Sequence, residues 1–112
     1  MMLTDMLHGK VAMITGGGRG IGEASARRLA EYGAKVILAD LNLSSAQEVA
    51  DDINAHGGQA RALEFNVAAF DTIPAKVAEA RELFGRLDIL VNVAGITGST
   101  ALEDITPESW DR

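Results

Sequence analysis

Residues 15–22 read T-G-G-G-R-G-I-G and follow directly on the apolar run Val11-Ala12-Met13-Ile14. An apolar strand that breaks into glycines and re-enters a helix meets the needs of a bound diphosphate. One glycine allows the tight turn, one lets backbone approach the pyrophosphate, and one lets the helix pack closely on the strand. The N–H groups that open the helix then point at the phosphates. The spacing departs from the commonest dinucleotide fingerprint, G-x-G-x-x-G. Gly16 and Gly18 fit it, but Ile21 stands where the third glycine would, so the pattern is Gly16-x-x-x-Gly20-x-Gly22. A glycine-rich turn with no ligand is the bland alternative for the loop taken alone.

Two further places offer matching chemistry. Asp40 closes the second apolar run, close to the ~20 residues past the loop at which an acid binds the ribose 2′-hydroxyl of NAD. A carboxylate there repels a 2′-phosphate, so NAD is favoured over NADP. Arg19, a guanidinium in the loop, could reach a 2′-phosphate and keeps NADP open; Leu41 supplies no second positive charge. A turn or helix cap is the alternative use of Asp40. Asn92-Val93-Ala94-Gly95 ends the fourth apolar run, where small Ala94 and Gly95 would let a nucleotide lie against the backbone.

The elements that must position these residues alternate strand and helix, which argues for a parallel sheet with helices on its faces. Residues 10–15 read as a first strand, apolar throughout its core and suited to burial on both sides. Residues 20–32 read as a first helix, stopped by Gly33 in the left-handed conformation. A second strand follows over 35–40. A second helix over 44–56 starts with Ser44 and Gln47, or Ser45 and Glu48, as a capping box, and ends at Gly57-Gly58. A third strand covers 60–66. The third helix covers 71–84, with Ile73, Val77, Ala80 and Phe84 on one face, Pro74 in the first turn and Gly85 as its stop. A fourth strand covers 87–92. Thr106-Pro107 then reads as the cap and first position of a fourth helix. There is no internal repeat, low-complexity segment or linker.

Composition bounds the rest. The 112 residues are one domain at most, or part of one. A hydrophobic content of 47% with 23% charged residues suits a globular chain. A net charge of −6 argues against nucleic acid and anionic membrane surfaces as partners, because both select basic faces. The absence of cysteine excludes disulfides, thiol catalysis and cysteine-ligated metal, and is compatible with a cytoplasmic location. No apolar run is long enough to span a bilayer, and residues 1–10 carry no export signal.

Taken together, the T-G-x-x-x-G-x-G loop, Asp40, the Asn66-Val67 step after the third strand and the N-x-A-G step after L-D-I-L-V resemble the short-chain dehydrogenase/reductase family. The likeness covers essentially the whole chain, in the right order and spacing. It implies a Rossmann-like doubly wound parallel sheet of strand order 3-2-1-4, with helices on both faces. It implies that Gly16, Gly20 and Gly22 shape the pyrophosphate loop, with Arg19 and Ile21 along the cofactor. Asp40 would take the adenosine ribose with Leu41 beside it. Asn66 and Val67 would flank the adenine, Asn92 would steady the central strands, and Ala94 and Gly95 would lie along the cofactor. Two positions depart from the commonest family pattern: Asn66 where an aspartate is usual, and Val93 where a second asparagine is usual. The cofactor implied is a nicotinamide dinucleotide, the substrate an alcohol or ketone, and the intact enzyme a homo-oligomer.

The catalytic groups of that family are a serine, an asparagine in the fourth helix, and a tyrosine and lysine as Y-x-x-x-K on a later helix. Residues four apart share a helix face, so the ammonium can lower the tyrosine's pKa for acid/base work. None of the four positions falls within this sequence. Tyr32, its only tyrosine, is followed four residues later by Val36, and Gly33 separates it from Lys35. Ser99 and Thr100 have no paired base. His8 and His56 are isolated, and Asp51-Asp52 and Glu103-Asp104 read as solvated faces, so no catalytic or metal set is assigned. The expectation is therefore the cofactor-binding part of a hydride-transferring oxidoreductase, truncated within its fourth helix. Alone it would be inactive, and its fourth strand would be an open apolar edge prone to associate. The alternative is a stand-alone nucleotide-binding or protein-interaction module without catalysis.

Overall fold

Val11-Ala12-Met13-Ile14-Thr15 has no polar side chain before its last residue, and all five residues are buried. In a strand, successive side chains point to opposite sides, so an unbroken apolar run calls for cover on both. The computed structural model, which describes residues 6–16, 18, 20–66 and 68–93, shows that cover. The elements are β1 (Val11–Thr15), α1 (Gly20–Glu31), β2 (Lys35–Asp40), α2 (Leu43–Ala55), β3 (Gln59–Glu64), a single 3-10 turn (Phe70–Thr72), α3 (Ile73–Phe84) and β4 (Ile89–Asn92). The four strands form one parallel sheet in the order β3-β2-β1-β4.

The core divides on the strand alternation. Ala12, Ile14, Val36 and Leu38 face one side and pack with Ala26 of α1 and with Ala46, Val49, Ala50 and Ile53 of α2. Val11, Met13, Ile37 and Ala39 face the other and pack with Ile73 and Ala80 of α3. Val77 and Phe84 join that second cluster partly buried, which completes the stripe read from the spacing of α3. The register matches Val11 to Lys35 and Thr15 to Ala39, and Thr15 to Asn92 on the other side. The carboxyl ends of β1, β2 and β4 therefore lie level at one end of the sheet.

Several element ends differ from the sequence reading, each for a local reason. Neither serine caps α2: Asn42 does, its side-chain oxygen accepting from the Ser45 N–H at 3.2 Å and from the Ser44 hydroxyl at 3.0 Å. α3 starts at Ile73 because the Thr72 N–H and hydroxyl both return to the Ala69 carbonyl, which closes the 3-10 turn ahead of the helix. β3 stops at Glu64, and Asn66 turns its side-chain oxygen to the Ala68 N–H at 2.9 Å, a local turn that competes with the ladder. β4 starts at Ile89, where the Val11 N–H is taken not by a backbone carbonyl of the preceding segment but by the side chain of Asp88. The Asp88 backbone N–H donates to the Val11 carbonyl, and its carboxylate accepts from the Val11 N–H and from Arg86. Gly33 and Gly85 close α1 and α3 in the left-handed conformation, at φ +98° and +84°. On its outer side β4 has no strand among the described residues, and its Leu90 is 42% exposed. The expected fourth helix lies outside the described residues.

Candidate functional site

The strand order turns back between β1 and β4: β2 and β3 lie on one side of β1, β4 on the other. In open sheets of this kind, ligands bind in the crevice outside the strand carboxyl ends at that reversal. Thr15 closes β1 there, fully buried, and its hydroxyl stitches the reversal together. The hydroxyl donates to the Asn92 side-chain oxygen at 3.1 Å and accepts from the Val93 N–H at 3.1 Å. Asn92 thus ties the two central strands to each other at the level of the crevice.

Gly16 then leaves the strand at φ +77°, a conformation in which a side chain would be strained, while its N–H donates to the Ala39 carbonyl at 2.6 Å. Gly20 opens α1 at φ +61°, and Gly22 is buried in the first turn of that helix. The first N–H groups of this 12-residue helix have no intrahelical partner, and their dipole favours an anion. Ile21, between the two glycines, is 73% exposed.

Asp40 stands at the end of β2. One carboxylate oxygen accepts from the Gly18 N–H at 2.9 Å and the other from the Asn42 N–H at 2.9 Å. Its backbone carbonyl accepts from the Phe65 N–H, which fixes the strand end against β3. The carboxylate is therefore held at a set orientation beside the glycine turn. An ionised carboxylate offers about four lone-pair sites, so two N–H donors leave capacity for the hydroxyls of a sugar. Leu41, the next residue, is 67% exposed. Ile21 and Leu41 are large apolar side chains in the segments that leave β1 and β2, the two strands that flank the turn.

The geometry brings Gly16, Gly20, Ile21, Gly22, Asp40, Leu41 and Asn92 to one end of the sheet. Asn66 is exposed, with its side-chain oxygen committed to the Ala68 N–H. Arg19, Val67, Ala94 and Gly95 lie outside the described residues. Two contributors escaped the sequence reading: the Gly18 N–H and the Thr15 hydroxyl. The signal for the first is a glycine at position 18, which the T-G-x-x-x-G-x-G motif leaves open. These residues fit a dinucleotide: glycine backbone and a helix start for the diphosphate, and an oriented carboxylate for a ribose.

Other chemistry-bearing groups lie elsewhere. A cavity of about 470 Å³ sits between α1 and α2, lined by Arg27, Glu31, Asp52, His56 and Gly58 among others. It is away from the strand carboxyl ends, and Arg27 and Asp52 in its lining are engaged with each other. Arg27 pairs with Glu23 and Asp52, and the guanidinium holds the Asp52 carboxyl below the usual range. His56 is exposed and its Nδ1 lies 2.7 Å from the Asp52 carbonyl oxygen. Tyr32 lies just past the end of α1, with the Arg28 guanidinium 5.6 Å from its ring centre. Among the described residues no group of three His, Asp or Glu side chains could hold a metal ion, and no helix is long and apolar enough to cross a membrane.

A glycine turn from the central strand of a 3-2-1-4 parallel sheet, with an acid at the end of the neighbouring strand, defines a Rossmann-like fold. Comparison with known proteins then gives the family. The sequence profile described as short chain dehydrogenase matches residues 10–112, and the chain belongs to the short-chain dehydrogenase/reductase family. It is 40% identical over 112 residues to a cyclohexanol dehydrogenase of Acinetobacter sp. (strain SE19), covering 99% of this chain and 45% of that protein. It is 41% identical over 107 residues to a trihydroxynaphthalene reductase of Colletotrichum orbiculare, covering 95% of this chain and 38% of that protein. A crystal structure of a short chain dehydrogenase from Mycobacterium smegmatis superposes with a TM-score of 0.78 at 37% identity, over 96% of this chain and 45% of that one. The chain thus spans less than half the length of each of these relatives.

Proposed function

We propose that this chain is the dinucleotide-binding part of an NAD-dependent oxidoreductase that moves hydride between a nicotinamide and an alcohol or ketone. The observation that carries the reading is the Asp40 carboxylate, oriented by the Gly18 and Asn42 N–H groups at the end of β2. A carboxylate so placed can accept from the ribose 2′- and 3′-hydroxyls and repels a 2′-phosphate, so NAD is preferred to NADP. Gly16, Gly20 and Gly22 with the first N–H groups of α1 would take the diphosphate. Ile21 and Leu41 would give apolar contact along the nucleotide, and Asn92 would hold the central strands in place. Arg19, Asn66, Val67, Ala94 and Gly95 complete the proposed set, the last two along the cofactor beyond β4. When bound, the nicotinamide supplies the hydride donor or acceptor; these residues bind and orient.

The names of the relatives, a cyclohexanol dehydrogenase and a trihydroxynaphthalene reductase, support a substrate in the alcohol and ketone class. The 112 residues contain no Y-x-x-x-K pair, so the chain on its own is proposed to be catalytically inactive. On the family resemblance alone, the proposal extends to a cytoplasmic location and a homo-oligomeric intact enzyme. Calorimetric titration of the chain with NAD⁺ and NADP⁺ is the test. Saturable binding with NAD⁺ tighter supports the reading, and tighter binding of NADP⁺ refutes the coenzyme assignment. An alcohol-oxidation assay on the same sample tests the negative claim; turnover well above background refutes it.

A further inference from the structure

Gly18 stands apart from the other glycines of the loop. Gly16 and Gly20 have positive φ; Gly18 does not, so its backbone conformation alone would accept a side chain. Space is what forbids one. A Cβ at Gly18 would lie 2.9 Å from the Ala46 backbone nitrogen, 2.9 Å from Asp40 Oδ2 and 3.0 Å from Ser45 Cβ. Real Cβ atoms do not sit that close, and two of the three neighbours belong to the first turn of α2, whose cap is Asn42. Asn42 in turn gives its own N–H to the second Asp40 oxygen. The glycine turn, the strand-two acid and the start of α2 therefore meet at one point, and the missing side chain of Gly18 is what lets them.

We propose that Gly18 is a positioning residue for coenzyme choice. Its N–H fixes the Asp40 carboxylate, and its lack of a Cβ seats the turn against α2, so the ability to tell a 2′-hydroxyl from a 2′-phosphate depends on Gly18 through Asp40. This rests on the dinucleotide-binding reading above. A carboxylate released from the Gly18 N–H can rotate away from the sugar. Discrimination then falls although every charged group is retained.

The test compares NAD⁺ and NADP⁺ affinities by calorimetry in the parent chain, Gly18→Ala, Asp40→Ala and the double variant. Gly18→Ala is expected to lower the ratio of the two affinities about tenfold, the worth of a hydrogen bond to a charged group. In the Asp40→Ala background it is expected to leave the ratio unchanged, since neighbours that act through one another are not additive. A ratio unmoved by Gly18→Ala, or lowered equally in both backgrounds, overturns this inference and leaves the dinucleotide reading standing. Absence of dinucleotide binding by the parent overturns both. Amide hydrogen exchange gives an arm that needs no change at Gly18. The Gly18 amide is expected to be protected in the parent and to exchange faster in Asp40→Ala, and equal rates in the two overturn the inference.

Discussion

Asp40 occupies a position where three backbone segments converge, and its two oxygens are used by two different N–H donors. Each donor lies beside a different element, in the glycine turn after β1 and at the cap of α2. A carboxylate held from both sides loses little further freedom on meeting a sugar, which is the advantage of preorganisation. Asp40→Ala is expected to weaken NAD⁺ binding by about one order of magnitude or more, from the loss of charge-assisted hydrogen bonds. NADP⁺ binding should weaken less or improve, because the repulsion goes with the charge. Parallel calorimetric titrations read both changes. An equal loss for the two coenzymes would show that Asp40 acts only as a loop cap.

Among the elements, α2 is tied to the site through its cap. Asn42 caps the helix with its side chain while its backbone serves Asp40. The two roles are separable, because substitution changes the first and leaves the second in place. Asn42→Ala is expected to cost about 1 kcal/mol of stability, the usual worth of an N-cap. That corresponds to roughly 4–8 °C in Tm for a domain of this class, measured by thermal circular dichroism. The NAD⁺ to NADP⁺ affinity ratio should hold, since the backbone N–H at this position is kept and still faces Asp40. The other end of the site is tied through Thr15, whose buried hydroxyl joins β1 to Asn92 and Val93.

Across the molecule as a whole, the sheet is pinned at its far end by Asp88. Its carboxylate takes the Val11 N–H and a two-pronged contact from Arg86, so the start of β1 is bound to the segment before β4. The Arg86 guanidinium, and next the Val11 N–H, hold the Asp88 carboxyl below the usual carboxylate range; Arg27 does the same for Asp52 between α1 and α2. A carboxyl whose pKa is lower folded than unfolded adds stability above the unfolded value. That contribution is lost as pH falls through the folded value, below about pH 4. The melting temperature should therefore drop as pH is lowered from about 5 to about 3. Asp88→Asn, which keeps the shape and loses the titration, should show a shallower fall. A pH series of thermal melts checks this, and identical slopes for the two proteins would remove Asp88 from the account.

Local patterning was enough to settle the alternation of strands and helices and the end of the sheet at which the residues of the proposed site lie. Both follow from apolar periodicity and glycine spacing. Val11 to Ile14 reads as a strand buried on both sides, and the stripe Ile73, Val77, Ala80 and Phe84 reads as a face turned to a core. The family, and with it the strand order, was legible because its marks are short motifs at fixed spacing. Element ends were less legible: Ser44, Ser45 and Asn42 all have the chemistry of a cap, and only the path of the chain selects Asn42. Contacts between residues far apart in the chain had to wait for the folded molecule. Gly18 reaches Asp40 and Ala46, Thr15 reaches Asn92, and Asp88 reaches Val11. No periodicity encodes such pairs; they exist because parallel strands joined by helices bring distant segments level at the ends of one sheet.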